Sequence, residues 1–188
     1  MADFSEIKKG MTIRFRGELF DVADYDHVKP GKGGAFVRVR LKNFKTGKVV
    51  ENTFDIEEDL ETVFIEKVPA EYLYRDGSQF VVMDQENYEQ MFVDETVMGH
   101  VLPLLRENDP LIVIRHDGKV LKVQLPNFVE LKVVEAPPWI RGDTATAEYK
   151  PVKVETGATV KAPPYIKEGD VIKIDTATGG FVARVTGG

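Results

Sequence analysis

The residues with most scope for chemistry stand side by side in Lys29-Pro30-Gly31-Lys32-Gly33-Gly34. Pro30 fixes its own φ, while Gly31, Gly33 and Gly34 accept positive φ, so the spacing predicts a tight reversal that lifts Lys32 off the domain body. An ammonium on such a tip can reach a site that the domain itself cannot enter. It is expected to act as a cation or as a handle for covalent modification. A Schiff-base role would need a desolvated amine of lowered pKa, and a glycine-flanked tip is the wrong environment for one. The loop lacks the Ser/Thr that follows a P-loop lysine and is expected to join two antiparallel strands, which argues against nucleotide hydrolysis.

Other reactive types are scattered. His27, His100 and His116 have no second ligand at i+3 or i+4 and no cysteine to join them, so no metal is expected. The run Glu57, Glu58, Asp59 and Glu61 reads as a solvated face, not as an acid–base pair in a cleft. No nucleophile stands beside a base, so no catalytic residue is expected and the chain is read as a non-enzyme.

Charge sharpens the picture. Residues 27 to 50 carry seven Lys/Arg and no Asp or Glu, a local charge of +7, against −2 for residues 1 to 26, −12 for 51 to 98 and +1 for 99 to 188. A general nucleic-acid coat would be basic throughout, whereas an acidic body with one basic edge resists non-specific polyanion binding and docks in one orientation. A solvated strand face is the plainer alternative for the same block. The 188 residues include no cysteine and no apolar run long enough to span a bilayer, and Met1-Ala2-Asp3-Phe4-Ser5 lacks the charged and apolar regions of a signal peptide, so cytoplasmic residence is expected.

The elements that must position the loop are strands. Short β-branched and aromatic runs recur between turn signals, and no segment keeps helical spacing for more than about three turns. Thr12 to Phe15, Leu19 to Val22, Ala35 to Lys42 and Val49 to Phe54 form the first set, with a turn at Thr46-Gly47. Within Val37-Arg38-Val39-Arg40-Leu41-Lys42 the alternation puts Val37, Val39 and Leu41 on a core face and Arg38, Arg40 and Lys42 on the other. Phe15 and Tyr25 are expected in the core, and Phe36, out of phase with Val37, beside the loop on the outer face. A short helical turn is expected over residues 57 to 61, and residues 87 to 98 read as a short helix or a strand. Turn signals regroup after about every five strands, which predicts an all-β chain of three small barrels of about 60 residues each, in a row spanning roughly 80 Å, about the length of a tRNA. Boundaries are expected to give units 1–64, 65–127 and 128–188.

Lys29 through Val37, then Leu41-Lys42-Asn43 and Thr46-Gly47, resemble bacterial elongation factor P. The likeness continues through Glu130 to Val134, Arg141-Gly142-Asp143-Thr144, Glu155-Thr156-Gly157-Ala158 and Pro163-Pro164-Tyr165-Ile166, with separate motifs in the right order at the right distances. It departs at Ala162-Pro163, where Val-Pro is usual, and at Pro137-Pro138-Trp139, where a Pro-Gly pair is usual.

The resemblance implies an N-terminal SH3-like (KOW-like) barrel followed by two oligonucleotide-binding (OB-fold) barrels, in an elongated, tRNA-like outline. It implies a monomeric elongation factor that binds the 70S ribosome between the P and E sites, positions peptidyl-tRNA and relieves stalling at consecutive prolines. Lys32 corresponds to the tip residue at the CCA end of P-site tRNA, framed by Lys29, Pro30, Gly31, Gly33 and Gly34. In many members that lysine is extended by a separate lysine-modifying enzyme, through β-lysylation or another amine-linked group, and no other cofactor is implied. Arg38, Arg40, Lys42 and Lys45 become phosphate contacts to rRNA or tRNA. Gly142, Asp143 and Thr144 match a loop that approaches the mRNA in the E site, and Phe181, in place of the usual tyrosine, and Arg184 match a C-terminal functional pair. Two other classes stay open on the residues alone: a single-stranded RNA-binding barrel protein that stacks bases on aromatics, and a lysine-dependent enzyme.

Overall fold

Alternating branched and polar residues become strands through most of the chain. The computed structural model describes residues 2–31, 33–138 and 149–185. The first set of elements is β1 (Ala2–Asp3), β2 (Thr12–Phe15), β3 (Glu18–Val28), β4 (Phe36–Asn43), β5 (Val49–Asp55), β6 (Asp59–Leu60) and β7 (Thr62–Val63). Five of these form one sheet in the order β5-β4-β3-β2-β7, while β1 pairs with β6. The face predicted for burial is the buried one: Val37, Val39 and Leu41 are inaccessible to solvent. Phe4 stacks on Phe54 at 3.9 Å between ring centroids, and Phe15 meets Phe54 edge-on at 5.2 Å. Each fully buried side chain of this size contributes about 1.5–3 kcal/mol relative to exposure. Phe15 and Tyr25 pack against this core as partly buried residues, as the sequence suggests.

Residues 57 to 61 differ from expectation. Turn residues are followed by a strand, in which Ala2 faces Leu60 and Asp3 faces Asp59. The reason is burial: strand geometry points Leu60 into the core while leaving Asp59 in water, and Leu60 is buried beside Phe4.

The second set comprises β8 (Glu66–Asp76), β9 (Gln79–Asp84), β10 (Gln90–Asp94), α1 (Glu95–Met98), β11 (Pro110–His116) and β12 (Lys119–Gln124). The third comprises β13 (Phe128–Glu135), β14 (Lys150–Val154), β15 (Thr159–Ala162), β16 (Val171–Asp175) and β17 (Phe181–Val185). Residues 87 to 98 thus hold both readings in succession, a strand and then one helical turn that buries Met98. Strand order is β10-β9-β8-β11-β12 in the second sheet and β15-β14-β13-β16-β17 in the third. The two sheets therefore repeat one topology, with the first strand of each set at the centre, the next two on one side and the last two on the other. Each of the three five-stranded sheets has its own apolar core.

The chain gathers into two compact units: residues 1–66 with 116–118, and residues 67–115 with 119–188. Among the described residues, no helix is long and apolar enough to cross a membrane.

Candidate functional site

Strands β3 and β4 pair antiparallel from Phe20 opposite Asn43 to Val28 opposite Phe36, and the glycine loop joins their far ends. Lys29, Pro30, Gly31, Gly33 and Gly34 are all exposed, and Lys32 itself lies outside the described residues. A loop of this length can extend roughly 12 Å past the last strand pair. Gly33 has φ +116°, a conformation that side chains rarely adopt. Gly31 and Gly34 differ: a Cβ there would meet nothing within 4 Å, so neither packing nor a positive φ in this chain requires them to be glycine. Such bareness suits a tip that must be thin for something outside the chain. Near its root, the Tyr25 and His27 rings meet edge-on at 5.4 Å between centroids on β3.

The basic face points as predicted, and carboxylates from the neighbouring strands share it. Arg38, Arg40 and Lys42 point to solvent from β4, and Phe36, half-buried, shares their face. Between Val22 and Asp24 the register shifts, a bulge at Ala23, and this reverses the inward phase of β3. Val22 and Tyr25 both point to the core, so Asp24 and Asp26 face outward opposite Arg40 and Arg38. Arg40 Nη2 lies 3.5 Å from Asp24 Oδ2, and Arg38 Nε lies 3.5 Å from Glu51 Oε1 on β5. All four side chains are at least half exposed, so each pair contributes only about 0–1 kcal/mol.

Lys42 stands opposite Asp21, whose carboxylate instead accepts the Thr12 hydroxyl at 2.7 Å. Lys45 sits in the turn after β4, built by the buried Asn43, whose Oδ1 accepts the amides of Lys45 and Thr46 and whose Nδ2 donates to Glu18. Among the described residues, the ammonium groups of Lys42 and Lys45 have no ion-pair partner. The segment that is purely basic along the chain is thus edged with carboxylates across the sheet.

The other site candidates lie elsewhere. Phe181 and Arg184 are both on β17, where a register shift lets Phe181 face Ile174 and Arg184 face Ile172. Phe181 packs half-buried against the third core, and Arg184 is exposed with its guanidinium 5.8 Å from the centre of the Tyr165 ring. Gly142, Asp143 and Thr144, like Trp139, lie outside the described residues. His100 Nε2 is 2.9 Å from the Val123 carbonyl, and among the described residues no cluster of His and acidic groups could hold a metal ion.

Comparison with known proteins decides the family. Residues 3–60 match the elongation factor P KOW-like domain, 65–123 the elongation factor P OB domain, and 129–184 the elongation factor P C-terminal domain. The elongation factor P of Caldicellulosiruptor saccharolyticus is 43% identical over 185 residues, covering 98% of this chain and 100% of that protein. The chain belongs to the elongation factor P family. It is a translation elongation factor with a KOW-like first sheet and OB topology in the second and third. Similar relatives include the elongation factor P of Caldicellulosiruptor bescii, 44% identical over 98% of this chain and 100% of that one. That of Synechococcus sp. (strain JA-3-3Ab) is also 44% identical, with the same shares covered.

Among solved structures, eukaryotic translation initiation factor 5A from Methanococcus jannaschii aligns over 65% of this chain and 92% of its own, with TM-score 0.50 and 22% identity. A translation initiation factor eIF-5A family protein from Naegleria fowleri aligns over 65% and 96%, with TM-score 0.52 and 14% identity. At these identities the likeness is one of fold.

Proposed function

We propose that this factor binds the ribosome between the P and E sites, positions peptidyl-tRNA through the loop bearing Lys32, and so stimulates peptide-bond formation at consecutive prolines. The observation that carries the reading is the loop itself: exposed residues on both sides of Lys32 at the end of a long hairpin, with glycine at two positions where the fold leaves room for a side chain. Lys32 is the residue placed at the CCA end, bare or extended by a β-lysyl-type group that a separate enzyme attaches. No other cofactor enters the reading.

A prolyl residue has a fixed φ and a constrained ring at its nitrogen, so a Pro-Pro nascent end fits the reactive geometry poorly. Holding the peptidyl-tRNA in place removes part of that handicap by orientation, an effect of order several kcal/mol in favourable cases. Lys32 contributes position and charge near phosphates, and proton transfer stays with the ribosome and its substrates, so the factor is an accessory and not itself an enzyme. Arg38, Arg40, Lys42 and Lys45 serve as phosphate contacts, Gly142 to Thr144 approach the mRNA, and Phe181 with Arg184 forms a second contact on the third sheet.

Co-sedimentation with 70S ribosomes, with and without tRNA in the P site, tests this. Retention that increases when the P site is occupied and falls with added salt is expected. Equal retention on vacant ribosomes, or tight binding to free oligonucleotides instead, would overturn it.

A further inference from the structure

Arg106 lies in the loop between Leu104 and Pro110, in the second set of elements, and its guanidinium reaches two carboxylates at once. Nε and Nη2 donate to Asp109 Oδ2 and Oδ1 at 3.1 and 3.0 Å, while Nη1 donates to Glu155 Oε1 at 2.9 Å. Asp109 is held on the second sheet, since its carbonyl accepts the Tyr72 amide of β8 and its carboxylate also accepts the Arg106 amide. Glu155 is held on the third, where the same Oε1 accepts the Lys132 amide of β13 at 2.9 Å. Arg106 therefore bridges two carboxylates that are each fixed by a different sheet.

Two further contacts join the same pieces. The Thr156 hydroxyl donates to the Pro103 carbonyl at 2.6 Å. Leu104 packs against the third core while its neighbour Leu105 is buried in the second, so one dipeptide plugs both cores.

We propose that Arg106 is a positioning residue that fixes the second and third sheets at one angle, so that the third sheet presents Phe181 and Arg184 at a set distance from the second. The planar guanidinium matters, because its rigid fork can satisfy two carboxylates together where an ammonium offers only a point charge. A preset angle spares the ordering cost that two loosely joined sheets would meet on binding. The functional half of this inference rests on the proposed ribosomal role; the geometric half does not.

The test uses the full chain, whose lack of cysteine allows clean double labelling. Spin labels go on Glu86→Cys in the β9–β10 turn and Lys161→Cys on β15, both exposed positions, and the distance distribution between them is measured by pulsed dipolar spectroscopy. Arg106→Met is expected to widen the distribution at least about twofold, and Arg106→Lys to widen it less. If Arg106→Met fails to fold, Arg106→Lys combined with Thr156→Val, which deletes the hydroxyl bridge, gives the same reading. An unchanged distribution in a folded variant overturns the proposal. In translation of a Pro-Pro template, the half-saturating concentration of the variant should rise about tenfold with the saturating rate retained. A lower saturating rate at unchanged half-saturation would overturn the functional half. A factor that widens on mutation yet rescues no template would leave the clamp standing and remove the ribosomal reading.

Discussion

Arg40 and Asp24 face each other across β4 and β3, with Nη2 and Oδ2 3.5 Å apart, because a bulge at Ala23 turns Asp24 outward. An arginine so engaged must leave its carboxylate before it can serve a phosphate. Exposed pairs of this kind are worth about 0.2–1 kcal/mol each. Asp24→Asn combined with Glu51→Gln should therefore tighten ribosome binding roughly two- to thirtyfold and steepen its salt dependence. Affinity titrations across a salt series check this. Unchanged slope and unchanged affinity would show that freeing Arg38 and Arg40 from their carboxylates gains no phosphate contact.

Gly31 and Gly34 separate the demands of folding from those of docking. Alanine at either position should leave the melting temperature unchanged, since a Cβ there touches nothing, but should depress rescue of Pro-Pro stalling if a thin tip is required. Gly33→Ala should strain the loop by about 1 kcal/mol because of its positive φ. Loss of rescue only at Gly33 would assign the glycines to conformation alone.

Leu41 and Leu131 anchor separate cores. Leu41→Ala should cost about 2–5 kcal/mol, felt in the first sheet. Amide exchange read strand by strand should accelerate in β2 to β5 and stay unchanged in β13 to β17. Uniform acceleration would show that the two compact units unfold as one.

Tyr72, buried in the second core, has its pKa raised above the usual tyrosine value, first by burial and then by the nearby Glu107. A raised folded pKa means that the unfolded chain releases the phenolic proton more readily. The resulting stability is present in full below pH about 10 and is lost as the pH rises through the folded value. Tyr72→Phe should flatten the alkaline arm of the stability profile of the second unit, measured by denaturant titration from pH 8 to 11. An alkaline arm of unchanged steepness would place its origin in other groups.

How much of this was legible in the sequence depended on whether the signal was local. Strand β4 was legible because its alternation is strict, and the loop because proline and glycine dictate backbone conformation without help from neighbours. The bulge at Ala23 was not: one extra residue changes the facing of every residue after it, and only the partner strand reveals the shift. Asp24, beside Arg40, was hidden for the same reason, and Glu51, beside Arg38, because only the pairing of β5 with β4 brings the two together. Residues 57 to 61 misled because a run of acids resembles a helical turn until Leu60 finds Phe4. The partners of Arg106 are three and forty-nine residues away, and the second comes from another sheet, which no spacing rule reaches. Phe181 and Arg184 carried no chemical signal of their own and entered only through the family likeness.

The central claim is that Lys32 positions peptidyl-tRNA. The direct measurement is the rate of peptide-bond formation on a Pro-Pro template and on a proline-free template, with the native-host protein and with Lys32→Ala, alongside intact mass to record any extension of the lysine. Rescue of the Pro-Pro template that drops at least about tenfold in the variant, with the proline-free rate unmoved, is expected. Full rescue by Lys32→Ala would contradict it.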